Sequence, residues 1–199
     1  SWALVWGRHA KAAAAYNKPA IASVKEVLQT GWSFYSALMT GRTEGMKQML
    51  KKMALSGIAN LFAERMPFNK LIGMQVTHYD FDKVELRIKM EQKLIGNPFH
   101  NILHGGVTAS LLDVAGGMIV AASCIDELED FSPSYLKERF SRLGTIDLRV
   151  DYLRPGRGNE FIATAHIIRA GSKVAVARME LHNEEGTHIA FGTGTYLVG

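Results

Sequence analysis

Residues 103–113 read Leu-His-Gly-Gly-Val-Thr-Ala-Ser-Leu-Leu-Asp, and they open a long apolar segment. Two adjacent glycines before a helical pattern let the backbone approach a ligand closely, because no side chain stands in the way. They also leave the first N–H groups of the helix free, at the positive end of its dipole. The motif therefore predicts a helix that begins near Gly105 and can stabilise a developing negative charge at its start.

The carboxylate of Asp113 lies nine residues after His104, on a segment that is otherwise apolar. Its neighbours are Leu111, Leu112, Val114, Ala115, Met118, Ile119 and Val120. A helix that is apolar on every face is buried, and a buried carboxylate requires a partner, a proton or a chemical role. N–H donors combined with such a carboxylate match what hydrolysis of an acyl bond requires.

The length of residues 105–124 would also suit a membrane span. However, a central Asp costs about 2.5–3.5 kcal/mol on insertion scales, and the glycines of this segment dilute its apolarity. Trp and Tyr anchors are absent from both ends of the segment. We therefore expect a buried helix that is wrapped by a sheet.

Strand-like alternation of apolar and polar residues flanks this helix on both sides. It covers residues 84–90 before the helix and residues 146–152 after it. Further strand-like runs cover residues 161–169, 173–183 and 188–198. The order of elements predicts an α+β fold in which one long central helix is gripped by a curved antiparallel sheet, with two strands before the helix and four after it.

Helical patterns are also found outside the central segment. Residues 46–65 predict a helix that stops before Pro67, where the period changes from helix to strand. Residues 125–144 form a polar insertion with a helix start at Ser132-Pro133. This insertion is either a lid over a substrate channel or a long connection.

The beginning of the chain has a different character. Short helices are predicted over residues 2–16 and 20–38, followed by a linker. We therefore divide the chain into an N-terminal helical extension, residues 1–45, and a main domain, residues 46–199. The extension carries an apolar stripe that we expect to pack on the same subunit or to contact a neighbouring subunit or lipid.

Charge and cysteine content exclude several classes of protein. The net charge is +4, of which residues 1–45 carry +3 (five basic minus two acidic residues), so only +1 remains for residues 46–199. Nothing resembles a basic stripe for nucleic acid. Cys124 is the only cysteine in the sequence, which excludes a disulfide framework and a multi-cysteine zinc site. No signal-peptide pattern opens the chain, and we expect a cytoplasmic location.

In combination, the motifs resemble those of the hotdog-fold thioesterases, specifically the PaaI-like acyl-CoA thioesterase branch. The resemblance covers about residues 60–199, and its closing part is similar to the bacterial YigI-type members. It rests on Pro67-Phe68, Leu71-Ile72-Gly73-Met74, His104-Gly105-Gly106 followed by Asp113, residues 146–156, and Arg169-Ala170-Gly171-Ser172-Lys173. The resemblance implies a hotdog fold in which the helix of one subunit faces the sheet of another, and hence a homodimer or homotetramer.

The resemblance also implies roles for individual residues. Asp113 matches the catalytic carboxylate, and the Gly105 N–H matches the donor that polarises the thioester carbonyl. Thr145 falls where relatives keep a Ser or Thr that positions the attacking water, and His104 matches a histidine that orients the site. By the alternation of the strand, Thr145 should lie on the charged face of that strand. Its role in the site therefore requires the strand to twist at its start.

Other positions are assigned more loosely. Several relatives place an Asn or Gln where this chain has Pro98, and a one-residue loop shift would let Asn97 take that role. Gly106 belongs to the same substrate-binding turn. Three basic residues at turns either meet the phosphates of coenzyme A or are simply solvated: Arg154, Arg157 and Lys173. His100 and His104 are four residues apart, but no Glu follows as the zinc protease motif requires, so no metal site is expected.

The sequence therefore predicts a thioester hydrolase that acts on acyl-CoA without a metal or redox cofactor, in fatty acid metabolism. The small, apolar helix face favours an aliphatic, medium- to long-chain acyl group. Asp113 would activate water as a general base or attack directly as a nucleophile, and the sequence leaves both routes open. The alternatives are a hotdog dehydratase of hydroxyacyl thioesters and a non-catalytic protein that binds acyl thioesters or lipid.

Overall fold

The structure is a computed structural model that describes residues 44–198. The helices predicted over residues 2–16 and 20–38 lie outside the described residues. The apolar stripe predicted on this extension lies outside them as well. The chain divides into two units, residues 1–48 and 49–199. The proposed boundary at residue 45 and the role of the extension remain predictions.

The helix predicted before Pro67 is present, but it is not α-helical along its whole length. Helix α1 spans Glu44–Asn60 and continues as one π-helical turn over Leu61–Arg65. A short helix α2, Pro67–Leu71, then follows where the sequence suggested an immediate change to strand. Pro67 favours this extra turn because its fixed φ suits the first helical position. The amide of the buried Asn69 ties it back by donating to the Phe62 carbonyl at 3.0 Å.

A six-stranded antiparallel sheet forms the main layer. Its strands are β1 (Gln75–Tyr79), β2 (Val84–Lys89), β5 (Gly144–Tyr152), β6 (Glu160–Arg169), β7 (Val174–Asn183) and β8 (His188–Leu197). Their order in the sheet is β1-β2-β6-β7-β8-β5. Two strands of this sheet precede the central helix and four follow it, as predicted. The alternation of buried and less buried residues along β2, β6, β7 and β8 gives the sheet one apolar face.

The central helix α3 spans Gly105–Asp126 and packs on that apolar face. Among residues 44–198 it is the one helix long and apolar enough to cross a membrane. However, 67% of its most apolar window is buried inside the protein, as expected for a core helix. The predicted α+β architecture, with one long helix gripped by a curved antiparallel sheet, is confirmed.

Smaller elements complete the chain on either side of α3. A 3-10 turn, Gln92–Leu94, leads into a two-stranded ribbon of β3 (Ile95–Asn97) and β4 (Ile102–Leu103). Helix α4, Pro133–Ser141, occupies the insertion and starts where Ser132-Pro133 predicted. Leu136 and Phe140 pack against the core from this helix. Whether the insertion acts as a lid stays a prediction.

Candidate active site

The turn that leads into α3 is organised by His104. This residue is the N-cap of the helix, with φ −64° and ψ 132°, and its Nδ1 atom accepts a hydrogen bond from the Gly106 N–H at 2.9 Å. A Cβ at position 106 would lie 3.0 Å from that Nδ1 atom, so a glycine there suits the cap. Because Nδ1 is the acceptor, any proton of a neutral His104 ring is on Nε2. His104 therefore shapes the helix start, and the Gly106 N–H is already satisfied.

The neighbouring Gly105 N–H is the free donor of this turn. Among residues 44–198, no side chain or loop carbonyl accepts a hydrogen bond from it, as expected for a first-turn N–H. The Gly105 carbonyl, by contrast, accepts a hydrogen bond from the Tyr152 hydroxyl at 2.8 Å. The Tyr152 ring would lie 3.4 Å from a Cβ at position 105. Tyr152 thus fixes the Gly105–Gly106 peptide, which directly follows the peptide that carries the free donor.

Asp113 and Thr145 are in direct contact. The Thr145 hydroxyl donates to the Asp113 Oδ1 atom at 2.8 Å. Asp113 is half-buried rather than fully buried, which corrects the expectation drawn from its apolar neighbours. The reason is that its side chain leaves the helix toward β5, the edge strand of the sheet, and not toward the strands that cover the core. The carboxylate is therefore both hydrogen-bonded and accessible.

A bulge in β5 explains how Thr145 reaches the helix. Thr145 pairs with Tyr196 of β8, and the register then shifts so that Asp147 pairs with Thr195. Paired residues share a face, so Thr145 lies on the helix side with Tyr196. After the extra residue, Asp147 lies on the opposite side. The strand distortion on which the Thr145 assignment depended is thus present. Further along the charged face of this strand, Arg149 and Asp151 form an ion pair at 2.9 Å.

Tyr196 supports the helix directly beneath Asp113. Its hydroxyl donates to the Asp113 backbone carbonyl at 3.2 Å, and its ring fills the space left by Gly116 and Gly194. Burial, together with the nearby Asp113 carboxylate, raises the pKa of Tyr196 well above its usual value. The hydroxyl therefore stays protonated and keeps donating.

A pocket of about 370 Å³ opens beside the start of α3. It is lined by Ile102, Leu103, Gly105, Thr108, Tyr152, Leu153, Arg154, Pro155, Gly156 and Ile189. The lining is mainly apolar, with one guanidinium, that of Arg154, which donates to the His188 carbonyl at 2.9 Å. The pocket thus joins the free Gly105 N–H to an apolar wall and a fixed positive charge.

The remaining predicted residues are not gathered in one place. The Asn97 Oδ1 atom accepts from the Phe99 N–H at 3.0 Å, and among the described residues it contacts neither Asp113 nor Gly105. Arg157 lies near Arg154 and reaches the His100 carbonyl at 3.5 Å. Lys173 precedes β7 at the other end of the sheet, beside the final residues of β8. The roles of these residues stay predictions.

Two tyrosines were missed by sequence reasoning, Tyr152 and Tyr196. Tyr152 lies at the end of the strand that carries the charged face. Tyr196 has the pattern of an ordinary residue in an alternating strand. A usable signal was present for Tyr196, because Gly116-Gly117 in an apolar helix leaves space for a large side chain. No comparable signal marked Tyr152.

Comparisons with known proteins identify the family of the chain. The family model described as Thioesterase superfamily matches residues 100–190. The medium/long-chain acyl-CoA thioesterase YigI of Escherichia coli strain K12 is 50% identical over 148 residues, which cover 74% of this chain and 96% of that protein. Acyl-coenzyme A thioesterase 13 of Mus musculus is 31% identical over 99 residues, 49% of this chain and 61% of that protein.

Solved structures give the same family. A Shewanella oneidensis protein related to the thioesterase superfamily has a TM-score of 0.73 and 52% identity, covering 75% of this chain and 97% of that one. A putative thioesterase from Syntrophus aciditrophicus has a TM-score of 0.66 and 35% identity, covering 74% and 97%. The chain therefore belongs to the thioesterase superfamily, with the hotdog fold, and is a thioester hydrolase.

Proposed function

We propose that this protein hydrolyses medium- to long-chain acyl-CoA to a free acid and coenzyme A. The observation that carries the proposal is the accessible Asp113 carboxylate, held by Thr145 on the same helix that presents the free Gly105 N–H. The names of the relatives at about half identity, medium/long-chain acyl-CoA thioesterases, support this substrate class. The apolar pocket beside Gly105 suits an aliphatic chain better than a charged one.

The chemistry can follow either of two balanced routes. In the first, Asp113 takes a proton from water while the water oxygen attacks the thioester carbonyl carbon. In the second, the Asp113 carboxylate attacks that carbon and forms an anhydride, which water then hydrolyses. In both routes the carbonyl oxygen becomes negative beside the Gly105 N–H, the C–S bond breaks, and the thiolate of coenzyme A leaves and is protonated.

One protomer cannot supply both groups to the same substrate. Gly105 and Asp113 are eight residues apart on α3, which corresponds to about 12 Å along the helix axis. A general base and an oxyanion donor must each lie within about 3 Å of the reacting atoms. We therefore propose that Gly105 of one copy and Asp113 of a second copy form each site, in a symmetric homodimer or a tetramer built from such dimers.

Coenzyme A carries phosphates, and the basic residues near the pocket are placed to meet them. Arg154 lies in the pocket wall and Arg157 follows three residues later. Guanidinium groups bind phosphates bidentately, so these two residues are the better candidates. Lys173 is at the other end of β8, so in our proposal it would meet the phosphates only through a second copy.

A subunit-complementation experiment tests the composite site. Asp113→Asn removes the base, and Gly105→Pro removes a single N–H, since proline is favoured at the first helical position and His104 already has an extended ψ. Each variant alone is expected to be nearly inactive on medium- and long-chain acyl-CoA, with thiol release as the readout.

When the two variants are co-expressed with different tags, the mixture is expected to regain about a quarter of wild-type activity. The reason is that half of the dimers are mixed and each mixed dimer has one intact site.

The outcomes separate the competing functions. No recovery on mixing, with stable mixed dimers, would place Gly105 and Asp113 in a single copy and contradict the composite site. Binding of acyl-CoA without thiol release by the wild-type chain would favour the non-catalytic acyl-binding alternative. Release of water from a hydroxyacyl-CoA, with the thioester intact, would favour the dehydratase alternative.

A further inference from the structure

The outer face of the sheet, opposite α3, carries a cluster of three potential ligands at the β7–β8 hairpin. Glu180 and His182 are two residues apart on β7 and share this face, and His188 of β8 pairs directly with His182. The two imidazole rings are stacked, with centroids 4.5 Å apart and planes 16° apart. One ligand atom from each of the three residues lies within 4.8 Å of the other two.

One nitrogen atom of the cluster is buried without a hydrogen-bond partner. The His188 Nε2 atom is buried and has no hydrogen-bond partner among the described residues. The His182 Nε2 atom is 3.9 Å from the Glu180 Oε2 atom, which is too long for a hydrogen bond. A buried polar atom without a partner costs free energy, so the His188 Nε2 atom requires an explanation.

We propose that Glu180, His182 and His188 bind a Zn²⁺ ion. Two imidazole nitrogens and one carboxylate oxygen are a donor set that zinc accepts, with a fourth position left for water or another ligand. Zinc–nitrogen bonds of about 2.0–2.1 Å in a tetrahedron place ligand atoms about 3.3 Å apart. The ligand atoms lie within 4.8 Å of one another, so they would have to move closer by up to about 1.5 Å to hold the ion.

The backbone beneath the cluster is held firmly. The Asn183 side chain accepts from the Glu185 and Thr187 N–H groups and donates to the Arg157 carbonyl at 2.9 Å. Asn183 is 6% exposed, so these hydrogen bonds are protected from water. Glu184 accepts further hydrogen bonds from the Asn159 and Glu160 N–H groups. The hairpin therefore presents its ligands on a fixed frame, as a metal site requires.

The surrounding charges leave room for a cation. The Arg178 guanidinium, two residues before Glu180, stacks over the Phe191 ring at 4.5 Å and donates to the Thr193 hydroxyl at 3.1 Å. Arg154 is engaged with the carbonyl of His188, not with its ring.

This site is distinct from the candidate active site. Asp113 and Thr145 lie on the helix side of the sheet, whereas the cluster lies on the outer side. The residue after His188, Ile189, lines the substrate pocket. Bound zinc would thus clamp the start of β8 behind the pocket wall, as a structural ion and not as a reactant.

Zinc titration of the untagged, full-length chain after chelator treatment tests the proposal. We expect one Zn²⁺ per chain by calorimetry, and visible ligand-field bands of a tetrahedral centre when Co²⁺ replaces it. His182→Asn and His188→Asn are each expected to weaken binding at least tenfold. Glu180→Gln keeps shape and removes only the charge, and should weaken zinc binding as well. Zinc should raise the Tm of the wild-type chain but not that of the variants.

His166→Asn is the matched control, because His166 is an exposed histidine on the same outer face of β6 and pairs with Arg178. It should bind zinc like the wild-type chain. The proposal is overturned if the wild-type chain binds no zinc. It is equally overturned if folded His188→Asn and Glu180→Gln chains bind zinc as tightly as the wild type, or if His166→Asn weakens binding as much as they do.

Discussion

The two halves of α3 are similar in composition and different in surroundings. In residues 105–113 only three of nine residues are buried, whereas in residues 114–126 nine of thirteen are buried. The second half lies under the sheet and is packed on most sides. The first half emerges from it, and its polar groups meet Thr145 and Tyr152 from the edge strand β5. The helix therefore presents accessible polar groups at the point where the covering sheet ends.

Asp113→Asn in the first half is expected to have the largest effect. The amide cannot accept a proton or attack a carbonyl carbon, so turnover of acyl-CoA should fall by roughly 10²–10⁴, the range for a lost acid–base group. Stability should hardly change, because the carboxylate is half-buried and the amide can keep the Thr145 hydrogen bond. Thiol-release kinetics and urea unfolding measure the two quantities. A folded Asn variant with full turnover would remove Asp113 from the mechanism.

Ile119→Ala in the second half should show the reverse behaviour. Ile119 is fully buried, so the substitution leaves a cavity and should cost about 2–5 kcal/mol of stability. Turnover per folded molecule should remain near the wild-type value. Val107→Ala in the half-exposed first turn is the control and should cost less stability. An equal loss of stability in the two variants would contradict the difference in burial between the two halves of α3.

Much of this comparison could be predicted from the sequence, because it depends on local pattern. Period-two alternation predicted β2, β6, β7 and β8, and the His104-Gly105-Gly106 turn marked the start of α3 within one residue. The half-burial of Asp113 could not be predicted, since it depends on which strand forms the sheet edge. The bulge after Thr145 and the reach of Tyr152 are likewise consequences of register and twist, and neither leaves a mark on neighbouring residues.

Thr145→Val sharpens the comparison at the edge strand. The variant keeps the shape of the side chain and loses the hydrogen bond to the Asp113 carboxylate. Hydrogen bonds to charged groups contribute about 1.5–3 kcal/mol, so kcat should fall by about 10- to 100-fold while KM changes little. Thr145→Ser restores a hydroxyl and should recover most of the activity. If the Ser variant is as slow as the Val variant, the role of Thr145 is packing and not the hydrogen bond.

The smallest effect is expected where the two halves meet, and a pair of tyrosines tests it. The Tyr196 hydroxyl donates to the Asp113 carbonyl at 3.2 Å, and the Tyr79 hydroxyl donates to the Met118 carbonyl at 2.9 Å. Tyr196→Phe and Tyr79→Phe each remove one hydroxyl group that donates a hydrogen bond to the backbone of α3. Each should cost about 0.5–1.5 kcal/mol of stability, the net value of such a hydrogen bond.

Their effects on turnover should differ, although their effects on stability are similar. Tyr196 holds the peptide that carries the catalytic candidate Asp113, so its loss should lower kcat measurably. Tyr79 holds a peptide five residues further into the buried half, where no reacting group lies, so its loss should leave kcat unchanged. Urea unfolding measures whether the two variants lose the same stability. Thiol-release kinetics measure whether their kcat values differ. If both variants lose kcat equally, rigidity of the whole helix matters and the division into halves does not, because a general loosening would not distinguish one tyrosine from the other.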